Sequence, residues 1–151
     1  MFERSGPNRG ELAKAQLTLQ ELETKLERLL ALLAERRAER LGLETHIQEA
    51  AASGDMDRLV DLQNRAGVVE KTIAELRAAE TECTQRVESA RRYLYTLYVR
   101  LERLRQEFSG LMRRLASIDQ GESVPSDVQT SLGRIKIQLK AITGENSTGR
   151  L

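Results

Sequence analysis

Apolar residues recur along this chain in alternating steps of three and four. The longest series is Leu59, Leu62, Ala66, Val69, Ile73, Leu76, Glu80, Cys83, Val87, Ala90, Leu94, Leu97, Leu101, Leu104, Phe108, Leu111, Leu115 and Ile118. Of these 18 positions 17 are apolar and no proline interrupts them, and a mean period of 3.5 residues held over many heptads is the pattern of a coiled coil. The spacing predicts one helix over about 55–118, on the order of 90 Å long at 1.5 Å rise per residue.

A second series precedes it: Leu12, Ala15, Leu19, Leu22, Leu26, Leu29, Leu33, Arg36, Arg40, Leu43, Ile47 and Ala50. It predicts a helix over about 11–52. Between the two lies Ala51-Ala52-Ser53-Gly54-Asp55, where Gly54 suits the left-handed C-terminal cap of one helix and Asp55 the N-cap of the next. A reversal there sets a register. Facing residues should have numbers that add to 109, as 50 with 59, 33 with 76 and 12 with 97 do, and the two seams then mesh without a slip.

After Ile118 the pattern stops at Asp119-Gln120-Gly121-Glu122-Ser123-Val124-Pro125-Ser126. Pro125 blocks simple continuation of a helix, and Ser126 with Gln129 has the spacing of a capping box. Val128, Leu132, Ile135, Leu139 and Ile142 then predict a third helix over about 127–143. Folding back about Gly121 gives pairs that add to 243, as 115 with 128 and 101 with 142 do. The long helix is thus expected to be covered by the first helix up to Leu97 and by the third from Leu101. Residues 1–10, with Ser5, Gly6, Pro7 and Gly10, and residues 144–151 are expected to be flexible ends of one elongated domain.

The predicted fold class is therefore all-α: an antiparallel coiled-coil helical hairpin with a long central helix and a short third helix folding back. Composition agrees, since aromatic residues are only 3 % of the chain and Trp is absent, as a thin seam of Leu, Ile, Val and Ala requires. Flanking charges are mixed evidence for the hairpin. Arg37 can meet Glu70, but Lys25 would face Arg86 and Lys136 would face Arg105. Leu17, Leu30, Leu32, Leu41, Val60, Val99 and Met112 fall off the seam and predict further helix packing in a dimer or larger bundle. Gly42, Gly67, Gly110 and Gly133 fall on outer heptad positions, either as soft points or as tolerated substitutions.

Charge narrows the function classes. With 24 Lys+Arg against 23 Asp+Glu the formal net charge is +1, which leaves no bulk attraction for nucleic acid. No apolar run has the length of a membrane span and the first residues lack a signal-peptide pattern, so the expected compartment is the cytoplasm, without membrane insertion. The single histidine, His46, and single cysteine, Cys83, cannot form a histidine-rich or mixed metal site. Cys83 falls on the seam as a buried thiol. No Gly-Lys dipeptide occurs, which excludes a phosphate-binding P-loop. Catalytic residues, cofactors, metals and small-molecule substrates are not expected.

The most localised polar and aromatic cluster is Arg91, Arg92, Tyr93, Tyr95, Tyr98 and Arg100, continued by Arg103 and Arg105. It lies where the first and third helices would meet. Tyr and Arg are enriched at protein interfaces, so these residues form a candidate partner surface; alternatively Tyr93 and Tyr98 seal the gap between the two covering helices. Arg36 and Arg40 replace apolar residues on the seam and either snorkel out of it or set register for a partner.

The function expected from this pattern is a non-catalytic coiled-coil scaffold or assembly protein acting through helix–helix contacts with itself or another protein. In outline alone the hairpin resembles the FliJ-type proteins of flagellar and related secretion systems, long two-helix antiparallel coiled coils, from which the third helix departs. That resemblance implies an alternative, an export-type chaperone or adaptor holding a client helix. A nucleic-acid-associated helical rod using the Arg and Tyr cluster is a second alternative.

Overall fold

A computed structural model describes residues 10–118 and 121–144. The expected N-terminal lead-in before Gly10, the tail after Gly144, and Asp119 and Gln120 of the second turn lie outside these residues. Among the described residues all regular structure is helical: α1 (Glu11–Ser53), α2 (Met56–Ala116) and α3 (Ser126–Thr143). The chain is all-α, a hairpin of two long helices with a short third one folded back.

The α1–α2 reversal follows the sequence closely. Gly54 is left-handed at φ 76°; its N–H donates to the Ala51 carbonyl at 3.3 Å, and the Asp55 N–H donates to the Ala50 carbonyl at 3.1 Å. This double bond pattern is a Schellman motif, which satisfies the last carbonyls of α1. Asp55 then caps α2: its Oδ1 accepts the Arg58 N–H at 3.1 Å.

The start of α3 differs from expectation. Pro125, at φ −58° and ψ 144°, is the N-cap, without a side-chain capping bond, so Ser126 lies inside the helix and the expected capping box does not form. The Pro125 carbonyl accepts the N–H groups of Val128 and Gln129, and the Gln129 Nε2 reaches back to the Val124 carbonyl at 3.2 Å. A proline with extended ψ already sets the entry into the helix one residue before Ser126. The far end of α2 is also shorter than predicted. Ser117 and Ile118 bond to Arg114 and Leu115 three residues back, a tightened last turn rather than α-helix.

Contacts divide the described chain into two compact units: Gln20–Glu88, and the described parts of Met1–Leu19 with Ser89–Leu151. In the first, Leu33, Leu43, Ala50, Leu62, Val69 and Ile73 form a buried core flanked by Ile47, Leu59, Ala66 and Leu76. All of these are seam positions of α1 and α2 read from the sequence. In the second, Leu101, Leu104, Ile135, Leu139 and Ile142 form the core, with Leu12, Phe108 and Leu111 packed against it; those of α2 and α3 are seam positions read from the sequence. Leu12 of α1 therefore joins the core that α2 makes with α3.

Gly10 accounts for that contact. It is buried and accepts the first helical bond of α1, from the Lys14 N–H at 3.1 Å. A Cβ on Gly10 would fall on the backbone of Ile142, Thr143 and Gly144. The N-terminus of α1 thus abuts the C-terminus of α3, where Gly144 is left-handed at φ 74° and donates its N–H to the Lys140 carbonyl. The positive dipole end of one helix meets the negative end of the other, a favourable arrangement. Gly10 belongs to this junction and not to a flexible end.

Candidate functional site

The Arg and Tyr run at 91–100 is helical throughout, so its consecutive members point around α2 and not to one face. Tyr93 and Arg100 flank the seam on one side. Tyr93 borders a shallow depression of about 260 Å³ with Glu11, Lys14, Ala15, Thr18 and Ala90, and Arg100 lies 3.8 Å from Glu11 across the helices. Arg91 and Tyr98 flank the other side, and the Tyr98 hydroxyl accepts a hydrogen bond from Gln16 Nε2 at 2.9 Å. Arg92 and Tyr95 point away from the seam. Arg92 Nη2 reaches only the neighbouring Ser89 Oγ at 3.4 Å.

Both tyrosines lie alongside α1, the backbone of Gly10 abuts residues 142–144, and Leu97 has no exposed surface. Tyr95 is 70 % exposed, and one turn further along the same outward face Val99 is 38 % exposed. Beside them is a second open depression of about 360 Å³, lined by Tyr98, Val99, Glu102, Arg103 and Gln106.

Arg36 and Arg40 belong to the other unit and face α2 at the heights of Ile73 and Val69, both of which are buried. Their side chains are 37 % and 42 % exposed, and the guanidinium groups bind glutamates of their own helix: Arg36 Nη1 to Glu39 at 2.6 Å and Arg40 Nε to Glu44 at 3.6 Å. Half-buried side chains whose charges stay on their own helix fit the snorkelling alternative. Cys83 is 2 % exposed, and its Sγ donates to the Leu22 carbonyl at 3.5 Å. His46 is an exposed partner of Glu49 at 3.2 Å.

Cross-helix ion pairs occur where direct facing did not indicate them. Arg37 and Glu70 form no ion pair, whereas Arg114 Nη1 lies 3.1 Å from Asp127 and Arg134 Nη2 lies 3.0 Å from Glu107. Both join α2 to α3 along one edge of the seam, between a flanking position of α2 and the next position outward on α3. That diagonal, with numbers adding to 241 (114 with 127, 107 with 134), is legible once the register is known. Exposed pairs of this kind contribute only ~0–1 kcal/mol each, so they choose between partners more than they hold the fold.

Among the described residues no group of three or more His, Cys, Asp and Glu side chains could hold a metal ion, and no helix is long and apolar enough to cross a membrane. No protein family, curated protein or solved structure matches the chain. Function has to be argued from the surface.

Proposed function

We propose that this chain is a non-catalytic scaffold or assembly component that acts through helix–helix contacts made by the outer faces of its helices. One observation carries the reading: the apolar residues that fall off the seam stay exposed, Leu41, Val60 and Met112 among them, at 61 %, 52 % and 45 %. Intrachain packing uses the seam positions of all three helices and leaves these side chains to water. Apolar side chains repeated along helix surfaces are what a further helix would cover.

Light scattering over a concentration series, combined with affinity capture of partners by the tagged full chain, tests this. The expected result is an assembly above the 17.0 kDa of one chain, or a stoichiometric partner. An ideal monomer at every concentration with no partner recovered would refute it.

A further inference from the structure

On the outward face of α2 an apolar centre is flanked by opposite charges at matching distances. Positions 92, 95, 99, 102 and 106 follow one another in steps of three and four, so Arg92, Tyr95, Val99, Glu102 and Gln106 form a second stripe, on the side of the helix away from the seam. Laid antiparallel on its own copy, this stripe is self-complementary. When facing numbers add to 194 (92 with 102, 95 with 99), each Arg92 meets the partner's Glu102, and each Tyr95 meets the partner's Val99. A twofold axis makes both contacts twice, as an isologous interface requires.

We propose that this stripe is a homodimer interface, with a second copy of the chain docked antiparallel about Tyr95 and Val99; the proposal rests on the scaffold reading above and names its partner. The shape of the surface supports the same register. Helical side chains lean toward the N-terminus of their own helix, so a Tyr95 placed opposite the partner's Val99 leans toward the partner's Glu102. That is where the open depression lies, bordered by Val99, Glu102, Arg103 and Gln106. The ring fills it with Arg103 against its face, a cation–π contact. By the same rule Arg92 and the partner's Glu102 lean in opposite directions, and the length of the arginine side chain bridges the two. Within the chain, Arg92 and Glu102 hold only neighbours on their own helix, Ser89 and Gln106, so docking breaks no cross-helix contact.

Charge reversal in the full chain tests the interface. Arg92→Glu and Glu102→Arg each replace two attractions with two repulsions, and both positions are exposed, so helicity by circular dichroism stays unchanged. The expected result is a wild-type dimer by sedimentation equilibrium, with its dissociation constant raised at least about tenfold in either variant. An equimolar mixture of the two variants recovers the dimer. In the mixed pair the glutamate introduced at position 92 of one chain meets the arginine introduced at position 102 of the other, and the unchanged Arg92 and Glu102 meet at the second contact. A wild-type assembly that both reversals leave intact overturns this interface and leaves the scaffold reading standing. So does a wild-type monomer that captures a different protein in stoichiometric amount. Failure of the mixture to recover the dimer also overturns it.

Discussion

Gly10 and Gly67 show how differently one residue type acts in this chain. Gly10 has the α3 terminus where a side chain would go, while Gly42 and Gly67 have nothing within 4 Å of a built Cβ. Gly10→Ala therefore costs about 1–3 kcal/mol through overpacking, and Gly67→Ala stabilises by up to ~1 kcal/mol as a helix-interior replacement. Urea unfolding of the two variants beside wild type reads both signs. The heptad pattern identified Gly42 and Gly67 as outer positions, whereas nothing local marks Gly10, because its constraint comes from residues 142–144 and depends on where α3 ends. Cys83 was legible in full: a seam position made it buried. Its thiol is expected to react with an aromatic disulfide reagent only after denaturant is added, and rapid labelling of the native chain would contradict that burial.

The two reversals divide along the same line at the scale of elements. Gly54 and Asp55 signal their caps through chemistry that acts within a few residues, and the structure forms them as read. Ser126 and Gln129 carried an equally good local signature that Pro125 displaced, since a fixed φ one residue earlier had already started the helix. The seam of α1 carries a further consequence. Arg36 and Arg40 occupy seam positions of α1 beside a core that includes Ile73 and Val69, so Arg36→Leu with Arg40→Leu places branched apolar groups against it. The double variant is expected to raise the urea midpoint, by about 1 kcal/mol in free energy at the burial worth of a CH₂ or two. A lowered midpoint would show that the arginines hold register. The Arg91–Arg100 run was legible as a cluster but not as a site. Helical geometry separates it into two edges that lie along α1 and an outward stripe, and only the last remains open to a partner.

For the whole molecule, the decisive feature is that the seam positions of α1, α2 and α3 are covered within the chain while apolar side chains of the outer faces stay exposed. The cores on the two seams are built from the positions that the heptad pattern marks, with one register read from each turn. A chain whose hairpin instead closed between two copies would use the seam itself for assembly, and the exposed residues would have no such role. An introduced disulfide distinguishes the two directly. With Cys83 replaced by Ala, Leu19→Cys and Ala90→Cys face one another if the hairpin keeps the register of 109 read from the sequence, and oxidation then joins them in the seam. A disulfide within one chain is expected, seen on a non-reducing gel as a compact species of monomer mass at dilute concentration. A cross-linked dimer formed in the same conditions, or free thiols at both positions, would contradict it.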